Sequence, residues 1–318
     1  MQGLYAIVDL PHPHGLRPLE LTRAVLGDRL DGGRDGAAVV QLRAKRASTE
    51  QRVAWLAQMV PLCRAAGAML VVNDDLEAAL ASEADALHLG QDDPFAHELE
   101  AVRRRAAAVG RDALRVGLST HELAQVRAAG RQAPDYLALG PVAPTRSKQD
   151  PEPTVGMTGL LDGCRVAACP LVAIGGLDGT SGSHAIEYGA SAVAVIGALV
   201  HETLPRIRDE AISLARRFRE AAAPLSLDEV HRRIPVLPLE QLAELARWGD
   251  ALSLNLGLGL PARFSPRVVD GRAQYRPSDV IDLVEALGKL PTESWDDWRG
   301  RGLEDEGPLV QLRGRTLH

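Results

Sequence analysis

The chain has 318 residues, a length that suits one barrel-sized domain with a smaller companion. With 46% hydrophobic and 25% charged residues it has the composition of an ordinary folded protein, which excludes wholesale disorder. Its net charge of -6 argues against broad nucleic-acid binding while leaving room for a local basic pocket, and no apolar run reaches the ~18 residues of a membrane span.

The first ten residues have no basic flank and carry Asp9 just beyond a short apolar run, so they read as a first strand and not as a signal peptide. Further apolar runs follow, and the predicted strands are 4–8, 38–42, 69–72, 86–89, 115–118, 136–139, 171–174 and 193–196. Most are continuously apolar, as expected of strands buried on both faces. Helical stretches such as 19–30, 49–66, 96–109, 121–129 and 183–188 separate them. Alternating strands and helices over residues 1–220 predict an α/β domain, a (β/α)8 TIM barrel. A doubly wound open sheet is the rival.

The placement of polar residues favours the barrel. Arg43 and Lys45, Asn73 to Asp75, Gln91 to Asp93, Ser119, Thr145 to Lys148, and Gly175 and Gly176 each follow a predicted strand. A barrel gathers such residues on one rim, at the C-terminal ends of its strands.

Residues 221–318 are expected to form an accessory domain, a small α+β extension. Pro224, Pro235, Pro238 and Pro261 interrupt the earlier rhythm. A helix is predicted over 239–248, an Asp-Gly hairpin at 268–272, and a helix over 278–287 with Ser278 as its N-cap and Gly288 beyond its end. Trp248, Trp295 and Trp298 suit a core or an interface, so this region is expected to pack on the barrel or to mediate association into a homo-oligomer. Cys63, Cys164 and Cys169 make neither an even framework nor a CxxC pair; they read as small apolar residues in a reducing cytoplasm.

The rim residues suggest chemistry. In Gln41-Leu42-Arg43-Ala44-Lys45, period-two alternation turns Gln41 and Arg43 the same way, and an amide with two cations suits a phosphate clamp. Alone, the segment reads better as a solvated strand end. Acids in Asn73-Asp74-Asp75 and Gly90-Gln91-Asp92-Asp93 could converge on magnesium, with one acid in each cluster serving only as a helix N-terminal carboxylate. Pro144-Thr145-Arg146-Ser147-Lys148 could close over a pyrophosphate, and Ser119 could add a hydrogen bond. Glycines at 175, 176 and 197 would let backbone N–H groups approach a phosphate, although a tight turn uses glycine too.

The segments QLRAK (41–45), VNDD (72–75), LHLGQDD (87–93), VGLSTH (116–121), ALGPVAPTRSK (138–148), AIGG (173–176) and GASAVAVIGAL (189–199) occur in the order and spacing of thiamine phosphate synthases, which the chain resembles from residue 4 to about 200. The resemblance implies that 4-amino-2-methyl-5-hydroxymethylpyrimidine pyrophosphate is joined to 4-methyl-5-(2-phosphoethyl)thiazole, with Mg2+ as cofactor. It assigns Gln41, Arg43, Lys45 and Asn73 to the pyrimidine pyrophosphate and Asp74 and Asp93 to the metal. Ser119 and Lys148 go to the departing pyrophosphate; Thr145, Ser147, Gly176, Ile196 and Gly197 go to the thiazole phosphate. Arg43, Lys45, Ser119 and Lys148 would act in catalysis, and no nucleophile–base pair is expected. His88 and His121 are expected to orient or support. Gly197 departs from the family's frequent serine, and nothing in the resemblance covers 221–318. A thiazole tautomerase, with His121 as the point of likeness, and a non-catalytic sensor of thiamine precursors are the alternatives.

Overall fold

Eight apolar segments become eight strands: β1 (Gly3–Asp9), β2 (Val39–Arg43), β3 (Met69–Asn73), β4 (Ala86–Leu89), β5 (Arg115–Thr120), β6 (Tyr136–Leu139), β7 (Leu171–Ile174) and β8 (Ala192–Val195). They pair in parallel and in chain order, and β1 pairs with both β2 and β8, so the sheet closes into a barrel. Closure excludes the open doubly wound sheet. The computed structural model describes residues 2–145, 152–233, 267–269 and 272–288, in two units divided after Ala221.

Two layers of core explain the continuous apolar runs. In β1, Tyr5 and Ile7 point into the barrel with Val39, Val71, Tyr136, Val172 and Ala194. Their neighbours Leu4, Ala6 and Val8 belong to the outer layer beneath the helices. Period two persists, but both faces are buried, so both are apolar.

The helices around the barrel are α1 (Pro18–Val25), α2 (Thr49–Ala65), α3 (Leu76–Ala81), α4 (Leu99–Ala108), α5 (Leu123–Gly130), α6 (Gly156–Val166), α7 (Gly179–Glu187) and α8 (Leu204–Ala221). Several end elsewhere than periodicity predicts. α1 stops before Gly27, which takes a left-handed φ of +62° and lies so close to the Asp35 carbonyl that a Cβ would stand 2.4 Å from it. The predicted helix 96–109 is a 3-10 turn, Pro94–His97, followed by α4, because Glu98 leaves helical geometry. The stretch at 183–188 begins earlier, where Asp178 caps the N–H groups of Thr180 and Ser181. Its Gly182 is there for packing: a Cβ would meet the Phe218 ring at 2.5 Å. Buried Ile207, Ala211, Leu214, Ala215 and Phe218 form the inward stripe of α8.

In the second unit, α9 (Leu227–Arg233) starts with a reciprocal Ser226–Glu229 cap. β9 (Arg267–Val269) pairs antiparallel with β10 (Arg272–Gln274), Val269 opposite Arg272. α10 (Pro277–Gly288) begins one residue before the predicted start and includes Gly288. Proline at the first helical position is pre-organised for the helix, so Ser278 lies inside the first turn and is not the cap. Leu225 and Tyr275 exchange backbone hydrogen bonds. The predicted helix 239–248, the segment 291–318, Asp270, Gly271 and the three tryptophans lie outside the described residues.

Candidate active site

A cavity of about 400 Å³ opens at the C-terminal ends of the barrel strands. Every strand contributes to it, among them Ile7, Gln41, Asn73, His88, Ser119, Ala138, Ile174 and Val195.

From β2 come Gln41 and Arg43, both facing the cavity, while Leu42 packs in the outer layer. Arg43 Nη1 donates to Asp9 Oδ1 at 2.5 Å, so a carboxylate on the neighbouring strand fixes the guanidinium and leaves its other N–H groups for a ligand. Lys45 lies in the following loop, exposed and at the cavity edge. Arg52 shapes that loop: it donates twice to the Ala44 carbonyl and once to Asp75 at 2.6 Å.

The acids divide their work. Asp75 caps α3 through the Ala78 N–H and pairs with Arg52, a structural role for one acid of its cluster. Asp74 lines the cavity in a left-handed conformation, φ +57°, uncommon outside glycine and concentrated at functional sites. Its carboxylate accepts from the Gly90 N–H at 3.1 Å and from Asn73 Nδ2 at 2.6 Å. Asp93 caps the 3-10 turn through the Phe95 N–H at 2.8 Å. Burial pushes its carboxyl up, the Phe95 hydrogen bond opposes this, and the Asp74 charge pushes it further up. An exposed Asp74 whose charge reaches a partly buried Asp93 suits a hard cation with few protein ligands.

Between β4 and β5 lies an arrangement that the sequence reading missed. His88 Nε2 stands 2.9 Å from Ser119 Oγ, the spacing of a nucleophile–base pair, although none was expected. His88 Nδ1 reaches the Tyr136 hydroxyl at 3.0 Å, that hydroxyl meets the Tyr5 hydroxyl at 3.1 Å, and Gln41 Nε2 donates to Tyr5 at 2.8 Å. Tyr136 has room because the residue beside it is Gly117, whose Cβ would lie 2.1 Å from the ring. Strand periodicity could have placed Tyr5 and Tyr136 inside the barrel; a phenol buried there needs a partner. His121 donates from Nδ1 to the Gly140 carbonyl at 2.5 Å, which holds the ring at the cavity wall.

The wall from β6 to β8 is made mainly of small or apolar residues and backbone. Gly175 and Gly176 have φ of +95° and +67°. A Cβ at Gly176 would meet the Pro144 carbonyl at 2.4 Å, and the loop after β6 is tied to it by Ala143 N–H donating to the Gly175 carbonyl. Glycine is therefore required here by the approach of two loops. Ile196 and Gly197 line the cavity where a 3-10 turn, Gly197–Leu199, begins. Thr145 lines it too, with exposed Glu152, which the sequence reading did not single out. Ser147 and Lys148 lie outside the described residues. The cavity thus gathers Gln41, Arg43, Lys45, Asn73, Asp74, Ser119, Thr145, Gly176, Ile196 and Gly197, while Asp93 is not among its lining residues.

A family model described as thiamine monophosphate synthase matches residues 4–199. A thiamine-phosphate synthase of Chlorobium phaeovibrioides is 39% identical over 177 residues, 56% of this chain and 81% of the relative. One of Chloroflexus aurantiacus is 36% identical over 217 residues, 68% of this chain and 90% of the relative. Among solved structures, a thiamine phosphate pyrophosphorylase from Pyrococcus furiosus superimposes with a TM-score of 0.58 at 26% identity, covering 69% of this chain and 96% of that one.

Proposed function

Since the chain belongs to the thiamine monophosphate synthase family, we infer that its barrel joins 4-amino-2-methyl-5-hydroxymethylpyrimidine pyrophosphate to 4-methyl-5-(2-phosphoethyl)thiazole, releasing pyrophosphate and forming thiamine phosphate. The observation that carries this reading is one cavity bordered by a cationic clamp and a carboxylate on one side and by backbone-lined glycines on the other. The shared synthase name of the relatives favours it over a tautomerase or a sensor.

The C–O bond to pyrophosphate breaks, the aminopyrimidine ring delocalises the positive charge left on its methylene, and the thiazole nitrogen closes the C–N bond. Arg43 and Lys45 face the growing negative charge of the leaving group, with Asp9 keeping the guanidinium fork oriented. Asn73, Ser119 and Lys148 supply further donors. Asp74 and Asp93 would hold magnesium, which when bound neutralises charge on the departing pyrophosphate. The Asp74 charge that reaches Asp93 and the left-handed backbone of Asp74 fit that role. Thr145, Ser147 and the amides near Gly176, Ile196 and Gly197 hold the thiazole phosphate and set its nitrogen for attack.

Residues 221–318 are assigned an accessory part in association of the chain with itself, and the reaction is assigned to the cytoplasm. No helix of the described residues is long and apolar enough to cross a membrane. The test is pyrophosphate release from the purified protein with both precursors, with magnesium and with a chelator. Release that needs both precursors and the metal, with thiamine phosphate formed, is expected. Bound precursors without release would sink the reading. A chain ending at Ala223 that keeps the native number of subunits and the native activity would remove the association role.

A further inference from the structure

The side chains Gln41, Tyr5, Tyr136, His88 and Ser119 form one hydrogen-bonded row through the barrel interior, with contacts of 2.8, 3.1, 3.0 and 2.9 Å. They come from β2, β1, β6, β4 and β5. Gln41, Tyr5, Tyr136 and His88 are buried, so their polar atoms are satisfied by protein partners, among them the neighbours in this row.

We propose that this row has a fixed polarity that makes His88 the donor to Ser119, turning the serine hydroxyl proton outward to a pyrophosphate oxygen. Tyr5, Tyr136 and His88 are then positioning residues, and Ser119 is a hydrogen-bond donor, not a nucleophile.

Each hydroxyl in the row has a single proton to donate. An amide nitrogen can only donate, so the Tyr5 oxygen accepts from Gln41 Nε2. The single Tyr5 proton then goes to the Tyr136 oxygen, and the single Tyr136 proton to His88 Nδ1. An imidazole that accepts at Nδ1 is neutral and carries its proton on Nε2, which faces Ser119 Oγ. Ser119 therefore receives a hydrogen bond from His88, and its own proton must go to another acceptor. Ser119 lines the cavity, where an anionic oxygen is the partner that the chemistry supplies. Burial raises both phenols, so they remain neutral links. A serine–base pair would run the opposite way, with Nδ1–H donating to Tyr136 and Nε2 taking the serine proton. Ring packing supports the row: His88 and Tyr136 stack with centroids 5.5 Å apart, and Gly117 leaves the space that Tyr136 fills.

The functional half of this inference rests on the pyrophosphate-releasing reading; the polarity does not. The first measurement is therefore made without substrate. Long-range 1H–15N correlation of the histidine-labelled wild-type protein near pH 7.5, with His88 assigned by the signal lost in His88→Asn, reads the tautomer directly. The expected result is Nε2–H; an Nδ1–H or cationic ring overturns the polarity whatever the enzyme does.

The second measurement is a double-variant cycle on pyrophosphate release. Tyr136→Phe keeps the ring and its stacking but breaks the row. Its kcat is expected to fall roughly ten-fold with KM for the pyrimidine pyrophosphate within about two-fold. Ser119→Ala should lose as much or more, and the double variant no more than Ser119→Ala, because Tyr136 acts through Ser119. Wild-type kcat in a folded Tyr136→Phe, or losses that multiply, would overturn the positioning role. An inactive wild type with the Nε2–H tautomer would count against the reaction and not against the row.

Discussion

The two halves of the cavity mouth are built from different materials. The arc from β2 to β5 presents side chains: Gln41, Arg43, Lys45, Asn73, Asp74 and Ser119. The arc from β6 to β8 presents mainly backbone and small or apolar residues, Gly140, Gly175, Gly176, Ile196 and Gly197, beside Thr145, Glu152 and Asp178, and no cation among the described residues. The difference follows from the two anions proposed for them. A departing pyrophosphate gains charge during the reaction, so cations and a metal site that strengthen in the transition state are useful there. A thiazole phosphate keeps its charge and has only to be held, which neutral N–H dipoles can do. The first arc should therefore fail when a charge is removed, and the second when an atom is added.

The largest effect is expected from Asp74→Asn. Turnover should fall on the order of 100-fold, with a higher magnesium requirement for what remains, measured as pyrophosphate release against metal concentration. An unchanged magnesium titration would remove Asp74 from the metal site. Next is Gly176→Ala, which places a methyl against the Pro144 carbonyl in a left-handed backbone. KM for the thiazole phosphate should rise roughly ten-fold by displacement of the amides. If kcat alone fell, the two arcs would not divide as described.

A gain is expected from Gly197→Ser, which adds a hydroxyl where the backbone already donates. One new hydrogen bond to a phosphate should lower KM for the thiazole phosphate about five-fold. Steady-state kinetics with varied thiazole phosphate would check this, and a KM that rises would mean that the hydroxyl crowds the site.

The smallest effect on activity, none, is expected at Asp35, which is not among the residues that line the cavity. Burial alone would raise its carboxyl, but the Arg219 and Arg216 guanidiniums of α8 outweigh that and hold it below the usual value. A depressed folded value means stability that is present above the unfolded value of about 3.9 and is lost as the pH falls from there through the folded value. Asp35→Asn should cost about 1–2 kcal/mol at pH 6, since both arginines are half exposed and can be rehydrated. Urea unfolding at pH 6 and pH 3 should show the deficit shrinking with acid. A deficit equal at both would deny the pair its role.

Much of the barrel was legible because it depends on local periodicity. Strands β4, β6 and β7 have the ends the apolar runs predict, and in β2 alternation alone turned Gln41 and Arg43 to one face. Helix ends were less legible: α1 stops at Gly27 because the Asp35 carbonyl arrives from eight residues on, and periodicity has no term for such an approach. In the second unit the Asp-Gly signal marked the β9–β10 pairing, while Pro277 moved the start of α10.

The sequence by itself determined which residues could carry charge, bind a metal or tolerate a left-handed turn, since those are properties of single side chains and short spacings. Only the tertiary structure decided their partners. Asp75 went to Arg52 and Asp74 to the cavity although they are neighbours in the chain. Gly117 and Tyr136 fit each other across two strands. The row from Gln41 to Ser119 joins five strands, and its Tyr5–Tyr136 contact links β1 to β6, which are not neighbours in the sheet. Hydrogen-bond polarity belongs to the row as a whole, because each hydroxyl has one proton and passes on the choice made by its neighbour.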